Sequence, residues 1–340
     1  MKKSLLALAV LGAFAGAAHA QTSLTVYGVF GAGVRYVDNV NGAGDSNLTM
    51  SSTGLYSSNR LGFRGVEDLG GGMNARFTLE SGFNSGTGAL DNTTGVLFNR
   101  TASVGVGGAW GGVDFGRQYT NAFQTAVGYE PLSFRYPGLT DVVVFGVAGL
   151  RYNNDIKYTG TFGPVTVRAE YALGETPGST STNAASSISA AYASGPLYVG
   201  GTYTKRDIAG FDNDSINVGA AYKFGPARLT VGYANEEQDV AAGAADTKTR
   251  MAWAGVNYNI TPALELTGAY YQTKRTGVGA ANNHKRDYII INAAYSLSKR
   301  TSLYAAIDTA KLEGARVLGF GTPTTEDRAT GLSVGVNHQF

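Results

Sequence analysis

A tyrosine-ended unit recurs along the second half of the chain and constrains the fold more than any other feature. Five tyrosines, Tyr158, Tyr192, Tyr222, Tyr258 and Tyr295, lie 34, 30, 36 and 37 residues apart. Each precedes a short turn sequence, in several cases Gly-Pro, and then a new segment of alternating apolar residues. A fixed period of this size indicates a repeated supersecondary unit. The unit holds two strands of about ten residues, one tight turn and one longer polar loop, so it is a β-hairpin.

Apolar and polar side chains alternate along the strands of this unit. Leu229, Val231 and Tyr233 fall on one face, and Thr230 and Gly232 fall on the other. One face is therefore apolar with an aromatic end, and the other is polar or small. In a soluble sandwich the apolar face would be the core, but two packed sheets need irregular crossings rather than uniform hairpins. The pattern also suits a tilted strand that spans a membrane.

Counting such segments along the chain predicts an all-β fold, a transmembrane antiparallel β-barrel of sixteen strands. An even number lets the sheet close with both termini at one end, and about sixteen strands leave a water-filled lumen. The predicted strands are 23–37, 52–65, 73–84, 96–107, 112–118, 151–159, 164–173, 186–193, 197–206, 214–224, 227–235, 248–259, 263–273, 286–297, 301–312 and 328–340.

Composition excludes the main alternative classes. The 340 residues include 48 Gly, and aromatic residues make up 11% and charged residues 15%. These values are wrong for a helical bundle or a coiled coil and too aromatic for a disordered chain. After the N-terminus, the longest apolar run is 142–150, which is too short for a membrane-spanning helix of about twenty residues.

The N-terminus has the pattern of a secretory signal peptide. Lys2 and Lys3 form its basic region, 5–17 its apolar stretch and 18–20 its small-residue cleavage site, so the domain prediction is a signal peptide at 1–20 and a barrel at 21–340. The exported chain then has 25 basic and 25 acidic residues, and no basic patch indicates nucleic acid. It has no Cys, so its stability does not depend on disulfides, and a bacterial envelope protein fits.

The two ends of the predicted barrel differ. The turns after the repeated tyrosines are short, whereas connections such as 236–247, 274–285 and 313–327 are longer and polar. Short periplasmic turns and long external loops are typical of outer-membrane barrels. The connection at about 119–150 is the longest, and its run 142–145 is too apolar to extend into solvent. We expect this loop to fold inward and pack against the barrel wall.

Four sequence blocks resemble the general porins of the Gram-negative outer membrane, in the β-proteobacterial branch that includes neisserial and Burkholderia-type porins. They are the block Ser58 to Phe83, which begins Ser-Asn-Arg-Leu-Gly-Phe-Arg-Gly-Val-Glu-Asp-Leu-Gly-Gly-Gly, then Phe98-Asn-Arg-Thr-Ala-Ser-Val-Gly105, Phe115-Gly-Arg-Gln-Tyr119 and the terminal Phe340. The resemblance covers the whole mature chain. It implies a homotrimer of sixteen-stranded barrels, each with its third external loop folded into the lumen as a constriction.

The resemblance also implies which residues form that constriction. In this family, arginines on the wall face acidic residues of the third loop. By position, Arg60 and Arg100 match the wall arginines, Glu80 matches the acidic residue beside them, and Arg117 and Arg151 match further basic positions.

Alternation along the strands supports only part of this assignment. Arg60 alternates with apolar neighbours, and Arg76 and Glu80 do the same on the next strand, so all three should face the lumen. Arg100 instead shares its phase with Ala102 and the valines that follow it. The resemblance assigns Arg100 to the pore, with a face of small residues suited to a trimer interface.

The loop departs from the enteric pattern, because Tyr129-Glu-Pro-Leu132 stands where those porins have Pro-Glu-Phe-Gly-Gly. Glu130, Arg135 and Asp141 are its candidate pore-facing charges, with ordinary loop solvation as the alternative. With three wall arginines against Glu80 and one or two loop carboxylates, we expect a modest preference for anions.

Signals for catalysis or cofactor binding are absent from the sequence. His284 and His338 are the two histidines of the mature chain, and no zinc, Walker or dinucleotide motif occurs. The predicted function is passive diffusion of small hydrophilic solutes and ions, without enzyme activity, cofactor or metal. Alternatives are a solute-specific channel, an enzyme with His284 at the barrel rim, or an adhesin or receptor acting through external loops.

The expected partners follow from the resemblance. They are two further copies of the chain in a homotrimer, outer-membrane lipid or lipopolysaccharide, and the barrel assembly machinery. Phe340 is in phase with Leu332, Val334 and Val336 on the outer face, and it resembles the C-terminal aromatic signal for assembly. A plain aromatic at the membrane interface is the alternative interpretation.

Overall fold

A computed structural model describes residues 23–50, 55–136, 146–239, 246–277, 283–314 and 326–340, and the predicted signal peptide, 1–20, lies outside them. The strands and the helix of these residues are β1 (Ser23–Val37), β2 (Asn47–Met50), β3 (Arg60–Gly70), β4 (Met73–Gly82), β5 (Thr101–Gly108), β6 (Gly111–Tyr119), α1 (Asn121–Ala126), β7 (Arg151–Phe162), β8 (Val165–Ala172), β9 (Ala185–Ser194), β10 (Leu197–Ile208), β11 (Phe211–Phe224), β12 (Ala227–Gln238), β13 (Thr247–Asn259), β14 (Leu264–Thr276), β15 (His284–Ser296), β16 (Thr301–Gly314) and β17 (Arg328–Gln339). No helix among them is long and apolar enough to cross a membrane.

The strands form one closed antiparallel sheet. From β3 to β17 each strand pairs with the next one in sequence, and β1 pairs with β17 to complete the ring. β1 pairs with β2 along 34–37 and with β3 along 23–29. Because β2 and β3 share one place beside β1, the ring has sixteen strand positions, and the predicted sixteen-stranded antiparallel barrel is confirmed.

Two predicted strands are displaced in the structure. The strand expected at 52–65 is replaced by β2 and β3, with 51–54 outside the described residues. The strand expected at 96–107 starts only at Thr101. The Asn99 side-chain oxygen accepts a hydrogen bond from the Gly82 N–H at 2.9 Å, which takes the place of a ladder contact and delays the start of the strand.

The two faces of the sheet differ in exposure and polarity, as the alternation along the strands predicts. On β12, Leu229, Val231 and Tyr233 are 49%, 56% and 41% exposed, whereas Thr230 and Glu236 on the other face are both 2% exposed. The exposed face is apolar, as a lipid-facing surface requires, and the buried face is polar. Polar side chains therefore line the interior of the barrel.

The short turns at one end depend on glycine. Gly163, Gly195 and Gly225 have φ of 59°, 54° and 53°, and a proline follows each of them. A positive φ at the first central residue matches a hairpin turn whose twist fits the strands. One connection at the opposite end is also short, contrary to the expected long loops, because Ala209 and Gly210 join β10 to β11 with φ of 56° and 89°.

The segment after β6 packs against the inner wall. Helix α1 is capped by Thr120, whose hydroxyl accepts from Phe123 N at 3.2 Å, and it contacts β8, β9, β10 and β11. Tyr129 is fully buried, and its ring stacks on Trp253 with a centroid distance of 5.9 Å. Residues 137–145, which include the apolar run, lie outside the described residues.

Candidate functional site

Three arginines meet at the loop end of the barrel and are called here the arginine cluster: Arg60, Arg100 and Arg151. Arg60 begins β3, Arg151 begins β7, and Arg100 directly precedes β5. The hydroxyl of Tyr119 accepts hydrogen bonds from Arg151 Nη2 at 2.5 Å and from Arg100 Nη2. The Arg151 guanidinium also lies 4.1 Å from the centre of the Tyr119 ring. One tyrosine therefore holds two arginines side by side.

Glu80 pairs with one charge of the arginine cluster. Arg100 Nε donates to Glu80 Oε1 at 2.6 Å, and both residues are 5% exposed. Arg60 instead donates to neutral oxygens of residues 57–58, at 3.1 and 3.2 Å. The hydrogen bond of Arg151 is to the neutral Tyr119 hydroxyl. Among the described side chains, the cluster thus keeps two positive charges without an ion-pair partner.

The arginine cluster lines a cavity of about 430 Å³. Phe123, Val127 and Phe134, all from the segment that follows β6, line the same cavity. Asp91 also lines it, and its carboxylate accepts a hydrogen bond from the Asn99 amide. Phe123 and Val127 line a second cavity of about 760 Å³ as well. The segment that carries α1 therefore lies between two parts of the interior.

Family comparison agrees with this architecture. A model of the family described as Gram-negative porin matches residues 7–315. The chain belongs to that family. The predicted family, the sixteen-stranded antiparallel barrel and the general porin function are confirmed, and the porin lies in the outer membrane of a Gram-negative bacterium. Porins of this family and fold are non-enzymatic channels.

Relatives and solved structures extend the match over the whole chain. Outer membrane porin protein 32 of Delftia acidovorans is 33% identical over 100% of both chains. An anion-selective porin from Comamonas acidovorans is 28% identical, covers 94% of this chain and 100% of its own, and has a TM-score of 0.82. A trimer form of OmpT from Vibrio cholerae is 16% identical over 94% and 99% of the two chains, with a TM-score of 0.69, which is a likeness of fold alone.

Arg76 of the porin lies in the second cavity rather than beside the arginine cluster. Its Nε and Nη2 donate to the two carboxylate oxygens of Asp114 at 2.8 and 2.7 Å. This bidentate pair cancels the charge of Arg76 and fixes its position. The sequence-based placement of Arg76 with the other wall arginines is therefore corrected.

Arg117 is also separate from the arginine cluster. In the β5–β6 ladder it lies opposite Ala102, on the face that points away from Ser103 and Asp114. Its guanidinium donates to the Asn99 carbonyl at 2.6 Å and to Asn153 Oδ1 at 2.5 Å. A bulge between Gly116 and Gln118 then shifts the alternation, and Tyr119 after it lines the cavity of the arginine cluster.

Glu130 does not face the arginine cluster, and that prediction is wrong. Its side chain is fully buried and accepts hydrogen bonds from Leu132 N at 2.9 Å, Phe134 N at 2.7 Å and the Tyr271 hydroxyl on β14. Burial raises the pKa of Glu130 to about 7. Glu130 therefore attaches the segment to the opposite wall. Asp141, the other candidate carboxylate, lies outside the described residues.

Arg135 adds a further positive charge to the cavity of the arginine cluster. Its guanidinium lies 5.0 Å from the centre of the Tyr56 ring and donates to the Tyr56 hydroxyl. A carboxylate oxygen of Glu265 is 3.7 Å away, but both side chains are about a third exposed or more, so the pairing is weak.

Several anchors of the segment were missed from the sequence. Trp253 Nε1 donates to Tyr129 O at 3.3 Å, Asn257 Nδ2 to Pro131 O at 2.9 Å, and Arg228 Nη2 to Gly128 O at 2.7 Å. The start of α1 is held by Glu170, whose carboxylate accepts from Asn121 N at 2.9 Å and pairs with Lys157 at 2.9 Å. A tryptophan in the polar, inward phase of β13 is the sequence signal that could have indicated such a contact.

Within the described residues, no group of three or more His, Cys, Asp or Glu side chains could hold a metal ion.

Proposed function

We propose that the porin channel is narrowed between the arginine cluster and the segment 120–136, and that this constriction gives a modest preference for anions. The observation that carries the proposal is the pairing of Glu80 with Arg100, which leaves Arg60 and Arg151 unpaired on one wall of the cavity. The segment on the other side presents Phe123 and Phe134, which carry no charge.

Local charge decides selectivity more than total charge does. A narrow aqueous passage with low-dielectric walls focuses the field of nearby charges, whereas salt screens distant ones within about 10 Å at 0.1 M. Arg60, Arg151 and Arg135 line one cavity, and the carboxylate that lines it with them is that of Asp91, which also attracts Arg100. The balance is positive. The similar Comamonas acidovorans structure is that of an anion-selective porin, which supports the same preference here.

Reversal potentials in a KCl gradient test this proposal. Replacing Arg60 and Arg151 together by Ser should shift the potential toward cation selectivity. The matched control is Lys205→Ser with Lys223→Ser, which removes the same charge from two exposed positions outside the cavity. An unchanged potential in an open, folded Arg60→Ser, Arg151→Ser channel would contradict the site assignment.

A solute-specific channel is a second candidate because aromatic rings line the same passage. Tyr119 stacks on Phe123 at a centroid distance of 4.5 Å, and Phe123 contacts Phe134 at 4.8 Å. Such a surface could bind the apolar face of a solute beside the arginines. Conductance that saturates with added solute would favour this function, and linear conductance would favour general diffusion.

We further propose that three copies of the chain assemble, as in the trimer form recorded for the similarly folded OmpT. The strands are shorter on one side of the barrel than on the other. β5 has 8 residues and β6 has 9, whereas β13 and β14 each have 13. Strands of about 9–11 residues are needed to span the apolar layer. A neighbouring copy would cover the short side, where Val104 and Phe115 are exposed.

The position of Phe340 supports a role for this residue in assembly. It lies at the seam of the barrel, where β17 pairs with β1. Its backbone exchanges two hydrogen bonds with Gly28 of β1, at 3.1 and 3.2 Å. Its ring is 46% exposed on the outer face. The last residue is therefore fixed to the seam by its backbone, while its ring stays accessible on the outer face. We also propose that 1–20 is removed as a signal peptide, which leaves 21–340 as the barrel with 119–150 as its constriction loop.

A further inference from the structure

The hydroxyl of Tyr119 has a proton that the described part of the chain does not use. The oxygen of this hydroxyl accepts from Arg151 Nη2 at 2.5 Å and from Arg100 Nη2. A tyrosine hydroxyl is a donor as well as an acceptor, so its own hydrogen still needs a partner. Among the residues that the structure describes, none accepts a hydrogen bond from it. The O–H is therefore available to a group that enters the cavity.

The Tyr119 side chain is held in one position by its neighbours. The Arg151 guanidinium lies 4.1 Å from the centre of its ring, and Phe123 stacks on the ring at a centroid distance of 4.5 Å. The backbone carbonyl of Tyr119 accepts from Lys157 Nζ, and that side chain is buried. A donor fixed in this way needs no reorganisation when a charge arrives, which makes preorganised donors effective.

Tyr119 lines the cavity that also contains the two unpaired arginines of the cluster, Arg60 and Arg151. Asp91 lines this cavity as well, but its carboxylate accepts from the Asn99 amide and not from the Tyr119 hydroxyl. An anion in the cavity thus meets two positive charges and one neutral donor.

Charge and hydrogen bonding act differently on an anion. A positive charge attracts every anion, whereas an O–H group favours anions that accept hydrogen bonds strongly and lose most when they leave water. The two arginines strengthen this donor, because hydrogen bonds accepted from cations polarise the hydroxyl and linked hydrogen bonds reinforce one another. The Tyr119 hydroxyl therefore acts on a property of the anion that the arginines do not distinguish.

We propose that Tyr119 is a specificity-determining residue of the channel. Its O–H replaces a water molecule of a passing anion, and this contact favours strongly hydrated anions over weakly hydrated ones. The arginine cluster separates anions from cations, and Tyr119 separates one anion from another. The inference rests on the proposed constriction at the arginine cluster.

Potentials measured with chloride on one side of the membrane and thiocyanate on the other test this proposal. Chloride is the strongly hydrated probe and thiocyanate the weakly hydrated one. Tyr119→Phe keeps the ring and removes the hydroxyl, and it should lower the chloride-to-thiocyanate permeability ratio by about threefold. The matched control is Tyr158→Phe, because the Tyr158 hydroxyl donates to the Trp110 carbonyl at 2.6 Å outside the cavity. The control should keep the wild-type ratio.

A second variant separates donation by Tyr119 from its contacts with the arginines. Site-specific replacement of Tyr119 by O-methyltyrosine keeps an oxygen that can accept from both arginines but removes the proton. It should lower the chloride-to-thiocyanate ratio as much as Tyr119→Phe does, while the reversal potential in a KCl gradient stays near wild type. Heat-modifiable migration shows which variants are folded, and the O-methyltyrosine channel serves as the test if Tyr119→Phe fails to assemble.

Two results would overturn the proposal. One is a wild-type chloride-to-thiocyanate ratio in both folded Tyr119 variants. The other is a lowered ratio in Tyr119→Phe alone, which would mean that the hydroxyl only positions the arginines. Failure of the proposed constriction gives a different result, an unchanged KCl reversal potential in the Arg60→Ser, Arg151→Ser channel.

Discussion

Glu80 Oε1 accepts a hydrogen bond from Arg100 Nε at 2.6 Å, and this pair determines which arginines of the cluster remain free. Because Arg100 precedes β5, its side chain is not bound by strand alternation and reaches inward to Glu80. Glu80 also accepts from the Tyr27 hydroxyl at 3.1 Å, so the pair is fixed on both sides. The free positive charge therefore belongs to Arg60 and Arg151.

The ion selectivity of single Arg→Ser variants should distinguish an unpaired arginine of the cluster from the arginine that is paired with Asp114. Arg60→Ser should lower the anion-to-cation permeability ratio by up to about fivefold, since one charge about 8 Å from a passing ion in water attracts an anion and repels a cation by roughly 0.5 kcal/mol each. Arg76→Ser removes the same charge and leaves Asp114 unpaired, but it should change the ratio less, because this pair lines the second cavity and not that of the arginine cluster. Reversal potentials of the two variants under identical salt give the comparison. A larger effect of Arg76→Ser would show that the ions pass closest to Asp114 instead.

A second prediction concerns the space that Gly219 leaves for Tyr129. A Cβ at Gly219 would lie 2.1 Å from Cδ2 of the Tyr129 ring. Gly219→Ala should therefore push Tyr129 off the wall, at a cost of about 1–3 kcal/mol, and lower single-channel conductance, because the segment moves toward the arginine cluster. Gly268→Ala on β14 is the matched control, because nothing lies within 4 Å of the added Cβ. Equal conductance in both variants would mean that Tyr129 does not set the channel width.

The barrel could be predicted from the sequence because its determinants are local. Alternation and turn residues act over a few positions, so strands such as β12 and β14 were found within a few residues of their ends. The strand at 96–107 failed because the side chain of Asn99 bonds to the backbone of Gly82, a contact between residues 17 apart.

The candidate site was less predictable because it depends on contacts between residues that are far apart in sequence. Tyr129 and Trp253 are 124 residues apart, and Glu130 and Tyr271 are 141 apart. No periodic pattern encodes which carboxylate is buried, so Glu130 was taken for a pore-facing charge. The bulge in β6 likewise shifts the phase of the strand by one residue and turns Tyr119 inward. Alternation alone places Tyr119 on the wrong face.

Attachment of the segment 120–136 should depend on pH through Glu130. Burial raises the pKa of Glu130 from 4.5 to about 7. A raised carboxyl pKa means that its stabilising contribution is complete below about 4.5 and is lost as the pH rises through about 7. Conductance fluctuations of the wild type should therefore increase between pH 5 and pH 8. Glu130→Gln stays neutral and keeps an oxygen acceptor, so its fluctuations should be similar at both values. Fluctuations that fall with rising pH in the wild type would contradict this role.

Deletion of Phe340 should reduce the yield of assembled porin far more than loss of another exposed aromatic. Phe340 forms the last two backbone hydrogen bonds between β17 and β1, so its removal opens the seam as well as removing the terminal ring. Phe340→Ala keeps the backbone bonds and removes only the ring, which separates the two effects. Tyr270→Ala is the control, because Tyr270 is similarly exposed, at 41% against 46%, but lies within β14. The heat-modifiable fraction in membranes measures the yield. If Phe340→Ala assembles as well as Tyr270→Ala while the deletion fails, Phe340 acts by closing the sheet and its ring is an ordinary interfacial aromatic.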